Sequence, residues 1–285
     1  MYDFSVGVVL DCFRTDMEAA MKQAAELGLS GIQVYATEGE MAPEQMDAGR
    51  RREVRAMAEG YGLKISALCG DLGYGFFDPE RNQEGIERSK RILELAGDLG
   101  TNIVTTHIGV VPADPAHPRY GIMQEACGRL AEYADSLNAH FAVETGPEPA
   151  PVLKGFLDSL HSTGVAVNLD PANLLMTFGE EKGNAAEAVL TLRDYIVHTH
   201  AKDGVCRQLG DPEILYGIRE PEGPFDEGDY CEEVPLGAGG VCWSEYLQAL
   251  DSIGYRGFLT IEREVGENPA ADIRLAADFL RRFVR

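Results

Sequence analysis

Short runs of β-forming residues alternate with longer segments of helical period from one end of this chain to the other, and the alternation repeats eight times. That rhythm limits the fold more than any other feature. Strand and helix in strict alternation place parallel strands side by side with crossover helices over them. Eight such units closing on themselves give an α/β architecture, a single (β/α)8 barrel. The expected strands are Ser5–Leu10, Gly31–Tyr35, Lys64–Leu68, Asn102–His107, Phe141–Glu144, Val165–Asp170, Ile196–His200 and Phe258–Glu262. The expected helices are Asp16–Leu27, Pro43–Tyr61, Pro79–Leu99, Arg119–Asn138, Ala150–Ser162, Asn184–Asp194, Trp243–Ile253 and Pro269–Phe283. Several open on the proline that suits a first turn. Glycine follows many of them, as in DLGTNI and SIGYRGF, where it supplies the left-handed residue that ends a helix. Such barrels run to about 250 residues, so residues 1–285 are expected to form one domain.

In a barrel of this kind the carboxyl ends of all strands open onto one face, where residues distant in sequence converge. Four successive strands end in a residue able to bind a metal: Glu144 in AVET, Asp170 in VNLDP, His200 in VHTH and Glu262 in LTIE. One imidazole with three carboxylates is an N/O set suited to one divalent cation, manganese first, with magnesium, cobalt and zinc as alternatives. The plainer alternative is that each acid caps the helix that follows, but glutamate is a poor cap. Residues two apart on a strand share a face. His198, His200 and Lys202 therefore point together, as do Asn168 with Asp170 and Thr260 with Glu262 and Glu264. His198 lies a layer deeper than His200, where it is expected to hydrogen-bond in the core beside the site or to reach substrate.

Charge excludes several classes of function. The chain carries 47 acidic and 25 basic residues, a formal net charge of −22. That opposes the counterion release that drives binding to nucleic acid, and it repels anionic membrane surfaces. No apolar run approaches the roughly 20 residues that span a bilayer. The first residues, MYDFSVGVVLDCF, read as a strand, not as an export signal. Six scattered cysteines without a CxxC pair fit a reducing cytoplasm. Cys12 and Cys69 fall near strand ends on the same face as the metal ligands, although an unpaired cysteine is ordinarily a small buried hydrophobe.

One connection breaks the rhythm. From about residue 203 to 240 runs a long acidic loop, in which Asp211 to Glu233 hold nine acids against the single base Arg219. Its length and its Ile214, Leu215, Tyr216, Phe225 and Tyr230 suggest a lid over the barrel mouth or a contact between subunits of a homo-oligomer. A solvated, partly disordered insertion is the alternative.

With these pieces in place the chain resembles the xylose isomerase-like TIM barrel superfamily, specifically sugar phosphate isomerases and epimerases, and more distantly endonuclease IV. The resemblance covers nearly the whole chain and is carried by VET, LDPANLL, HTHAKD, the His107 of THIG and PLGAGGVCWSEYLQALDSIGYRGFLTIERE. It implies a divalent cation held by Glu144, Asp170, His200 and Glu262, with the two glutamates shuttling the substrate proton as in ketose 3-epimerases. Tagatose and psicose epimerases carry a histidine where this chain has Asn173, and they lack the lysine of HAKD. The HxKD pattern is similar to inosose dehydratases and isomerases, which implies that Lys202 reaches toward substrate oxygen as an acid/base or oxyanion partner. His107, Asn173, His198 and Glu264 are then expected to contact substrate, with Tyr35, Gln33 and Trp243 shaping the pocket. The substrate class is a carbohydrate or cyclitol, handled through an enediolate by an isomerase or epimerase. A dehydratase on a keto-inositol or keto-glycoside, or an accessory subunit, is the alternative. The trinuclear zinc centre of endonuclease IV needs more histidines than this chain places there.

Overall fold

The computed structural model describes all 285 residues. Its strands are β1 (Ser5–Val9), β2 (Gly31–Tyr35), β3 (Lys64–Cys69), β4 (Ile103–Thr106), β5 (His140–Glu144), β6 (Val165–Leu169), β7 (Ile196–Ala201), β8 (Asp203–Cys206), β9 (Cys231–Val234) and β10 (Phe258–Ile261). Eight of them form a closed barrel in the order β1-β10-β7-β6-β5-β4-β3-β2. Every barrel pairing is parallel, including the closure in which Ser5 lies opposite Phe258. At the floor of the barrel Phe258 fills the space beside Gly31, where a Cβ would stand 2.2 Å from its ring. The single (β/α)8 barrel expected from the alternation is the observed fold.

The helices are α1 (Met17–Glu26), α2 (Ala48–Gly60), α3 (Pro79–Leu99), α4 (Pro118–Ser136), α5 (Ala150–Asp158), α6 (Pro171–Lys182), α7 (Ala185–Thr191), α8 (Pro212–Leu215), α9 (Trp243–Ser252) and α10 (Pro269–Leu280). Their boundaries follow local chemistry. Asp16, Asp47 and Asp78 cap α1, α2 and α3 by accepting backbone N–H bonds, and Gly100 ends α3 at φ 87°. The apolar stripe of α3, including Ile86, Ile92, Leu93, Ala96 and Leu99, is buried, the spacing expected of a helix with one face on a core. No helix is long and apolar enough to cross a membrane.

Two expectations change. Between β6 and α7 lies α6, which begins directly after Asp170 and is interrupted at Gly179 (φ 68°, ψ −178°). Gly179 and Gly183 make this stretch read as a loop in sequence, whereas Asp170 caps it and Pro171 starts it. The segment from 203 to 240 is also no simple loop. Its ends pair as an antiparallel ribbon, with Asp203 opposite Val234 and Cys206 opposite Cys231. Strands of four residues amid Gly, Pro and acidic runs leave no legible period.

Asp203 ties this insertion to the barrel. Its Oδ1 accepts from the backbone N–H of Gly204 (3.0 Å) and Val241 (3.2 Å), and its Oδ2 from Gly237 N (2.9 Å) and Trp243 Nε1 (3.0 Å). Trp243, expected to shape the pocket, instead packs against Tyr246 and Phe279 and donates inward. Asp203→Ala should leave several buried donors without partners and cost at least about 3 kcal/mol. Urea unfolding measures this, and a cost below about 1 kcal/mol would show that the carboxylate is not what anchors the insertion.

Candidate metal centre

Glu144 ends β5, Asp170 follows β6, His200 lies near the end of β7 and Glu262 follows β10, so four neighbouring strands deliver one ligand each. All four are buried, and one ligand atom from each lies within 4.8 Å of every other. His200 Nδ1 faces the three carboxylates, 3.5 Å from Glu144 Oε1, 3.4 Å from Asp170 Oδ2 and 3.2 Å from Glu262 Oε2. Asp170 performs two tasks with two oxygens. Its Oδ1 accepts from Ala172 N (2.8 Å) and Asn173 N (2.9 Å) at the start of α6, while Oδ2 is buried without a hydrogen-bond partner. The cap thus leaves one oxygen of this aspartate free for a cation.

Beneath the ligands lies a layer of buried polar side chains that orients them. Asn168 Nδ2 donates to Glu144 Oε2 at 2.9 Å, and its Oδ1 accepts from His198 Nδ1 at 2.9 Å. His198 Nε2 in turn accepts from the Thr260 hydroxyl at 3.0 Å. Burial, reinforced by the nearby His200, holds His198 neutral and its pKa well below the usual imidazole value. With both nitrogens engaged and the ring a layer below the ligands, His198 supports the site from within the core and offers no free atom to substrate. On the other side, His200 Nε2 lies 3.1 Å from Gln33 Oε1, and Gln33 Nε2 donates to Thr105 Oγ1 at 3.0 Å. The Gln33 acceptor keeps a proton on Nε2; burial opposes a second one, but Glu262 and Glu144 favour it on Nδ1, which makes Nδ1 the nitrogen whose proton a cation would replace. Gln33 is therefore an orienting residue more than a pocket wall.

Above the ligands opens a cavity of about 530 Å³, lined by Tyr35, Cys69, Asp71, His107, Asn173, Lys202 and Glu264 together with residues of the insertion. Lys202 Nζ donates to Glu262 Oε2 at 3.0 Å and to Glu264 Oε2 at 2.7 Å, with Glu233 Oε2 at 3.9 Å. Burial opposes its charge, but Glu262, Asp170 and Glu264 outweigh that cost and hold it protonated. Asn173 Nδ2 donates to Glu144 Oε1 at 3.0 Å. Burial also opposes ionisation of the two glutamates; His200 and His107 overcome it at Glu144, and His200 and Lys202 at Glu262. His107 Nδ1 meets Asp71 Oδ2 at 3.0 Å, and its Nε2 stands 3.8 Å from Glu144 Oε1. Asp71 is absent from the sequence reading because it sits in a Gly-rich loop after β3 with no motif around it. Glu233 is likewise read there only as loop acidity, yet it accepts from Arg263 Nη1 at 2.7 Å and from the Glu264 N–H at 3.2 Å. Cys12 and Cys69 are buried, and burial pushes both thiols up, Cys12 to about 12, so neither is a ready nucleophile.

The family model for the xylose isomerase-like TIM barrel matches residues 21–283. The chain belongs to this family. A fructoselysine 3-epimerase from Escherichia coli O157:H7 is 24% identical over 260 residues, covering 87% of this chain and 86% of that protein. Among solved structures, a 3-keto-D-glucoside 4-epimerase from E. coli superposes with a TM-score of 0.72 at 17% identity, covering 98% of this chain and 99% of the other. The probable 3-DHS dehydratase involved in petrobactin synthesis in Bacillus anthracis gives a TM-score of 0.74 at 19% identity, again over 98% and 99%.

This xylose isomerase-like barrel has a donor set that fits a divalent cation. Asp170 Oδ2 and His200 Nδ1 are both buried and lack hydrogen-bond partners, although each faces the same centre. Buried polar atoms left bare in this way are uncommon. About one equivalent of divalent metal per chain is expected from elemental analysis after mild purification. Asp170→Asn keeps the cap acceptor but removes the anionic donor. It should lose most of the metal with an unchanged circular dichroism spectrum, and undiminished metal content in this variant would dissolve the assignment.

Proposed function

We propose that this protein is a divalent-metal-dependent isomerase or epimerase of a sugar, keto-sugar or inosose that works through proton transfer next to a carbonyl. The observation that carries the reading is the pair Glu144 and Glu262, two buried carboxylates at opposite ends of the arc of ligands, each with its own set of donors. When bound, the cation, manganese by first choice, would supply Lewis acidity that lowers the cost of charge developing on the substrate oxygens. Glu144, Asp170, His200 and Glu262 would hold it.

The chain's own residues divide the remaining work. One glutamate removes the proton and the other returns it: to the opposite face for epimerisation, or to the adjacent carbon for isomerisation. Proton removal is assigned to Glu262: Lys202 at 3.0 Å weakens it as a base but stands ready to supply positive charge to the substrate oxygen as charge develops there. His107 and Asn173 flank Glu144 and present polar atoms to substrate hydroxyls, and Glu264 accepts from Lys202 at the outer wall. Glu227, Glu232 and Glu264 line the outer cavity, which favours an uncharged sugar over a phosphate. The name of the fructoselysine 3-epimerase relative supports the epimerase reading. Loss of water from the substrate is the second reading, favoured by Lys202, a buried ammonium beside the base that can protonate a departing hydroxyl.

A screen of ketoses, inososes and their phosphates by NMR in deuterated water with added metal tests the proposal, because exchange of the proton next to the carbonyl reports enolisation even where turnover is poor. Glu262→Gln keeps an oxygen ligand but cannot accept a proton. It should retain metal and lose about 10² to 10⁴-fold in exchange rate. Exchange at the wild-type rate would move the base to Glu144.

A further inference from the structure

In the sequence Tyr216 is one of several apolar residues of a long acidic loop; the fold delivers it into the site. The single turn α8 carries it from the β8–β9 insertion. Asp211 caps that turn by accepting from Glu213 N at 2.9 Å, Glu213 pairs with Arg119 of α4, and Gly217 at φ 65° turns the chain away. The Tyr216 ring then lies 5.8 Å from the His107 ring, with the planes at 44°. Its hydroxyl ends over Gly146, two residues beyond Glu144. Gly146 has φ 148°, and a Cβ there would stand 2.3 Å from Tyr216 Oη and 2.7 Å from Asn173 Cβ. The glycine leaves a hollow that these two side chains share.

The neighbours of Tyr216 converge on one atom. Asn173 Nδ2 donates to Glu144 Oε1 at 3.0 Å, and His107 Nε2 lies 3.8 Å from the same oxygen. We propose that Tyr216 is a positioning residue of this site: with its ring wedged against His107 and its tip in the hollow it shares with Asn173, it holds both around Glu144, so the insertion is a working part of the proton-transfer apparatus. The kinetic consequence rests on the enolisation reading; the wedge itself rests on geometry alone.

Variants Tyr216→Ala, Tyr216→Phe and Gly146→Ala test it. In Tyr216→Ala, kcat for the exchanging sugar should fall about 10²-fold, more than KM rises, since displaced partners cost reaction geometry more than binding. Tyr216→Phe keeps the ring and should recover kcat to within about threefold of wild type. Gly146→Ala should impair the wild type more than it impairs a Tyr216→Ala background, because the backbone strain and the Asn173 collision persist in both and only the collision with Tyr216 is removed. Two readouts need no turnover. In the Mg²⁺-loaded protein the His107 ring resonances should shift in Tyr216→Ala but not in Tyr216→Phe, and proteolysis between Gly223 and Gly228 should accelerate in the alanine variant alone. Failure of every sugar to exchange in the wild type overturns the enolisation reading, and the two turnover-free readouts still judge the wedge. Unmoved His107 resonances and unchanged cleavage in Tyr216→Ala overturn the wedge. A phenylalanine variant as impaired as the alanine one also overturns it, by assigning the effect to the hydroxyl.

Discussion

Three carboxylates and one imidazole converge within 4.8 Å in the buried mouth of the barrel, and the surrounding structure answers the repulsion among them. Like charges taken out of water are costly unless each is met by a donor or a cation. Each of the four has a partner outside the cluster: Asn168 and Asn173 donate to Glu144, the α6 amides to Asp170 and Lys202 to Glu262, while Gln33 accepts from His200. The two atoms left bare, Asp170 Oδ2 and His200 Nδ1, face each other at the centre. The site is thus held in a shape that suits a cation by contacts that do not require one to be made.

That arrangement depends on the two-residue period of the strands. Asn168, His198 and Thr260 stand one step below the ligands on the same inward faces, and their mutual hydrogen bonds span three strands. A polar layer inside a barrel is acceptable only when fully satisfied, because one orphan in it would cost more than an apolar replacement. His198 illustrates the outcome. A histidine so near the ligands invites a role on substrate, but its position in the satisfied layer gives it a structural one.

The segment from 203 to 240 shapes the mouth of this barrel. A barrel mouth is built from loops, and loops are where chemistry varies on a constant frame. Here one loop carries a ribbon and a helical turn, fastened at its base by Asp203 and Glu233 and farther out by the Arg119–Glu213 pair. Glu233 stands 3.9 Å from Lys202 and binds Arg263, so the clamp on the insertion and the charge environment of the lysine are a single network. Its position joins the outer cavity, where the substrate's distal end would lie, to the reacting centre.

The sequence by itself determined the barrel and which four side chains meet at its mouth. Periodicity and glycine punctuation are local properties, and strand ends of a parallel barrel must share one face, so Glu144, Asp170, His200 and Glu262 could be assigned to one centre from their positions alone. Only the tertiary structure decided the partners. Asp71 meets His107 from a loop 36 residues away, Glu233 meets Arg263 across 30, and Gln33 meets His200 across 167. No spacing rule connects such pairs, since nothing short of the closed barrel brings them together. The α6 helix and the β8–β9 ribbon stayed hidden for a related reason. The glycines at 179 and 183 mask the helix preference of α6, and the four-residue strands of the ribbon are too short to show a period, so the Asp170 cap, the Asp203 anchor and contact with the barrel define them.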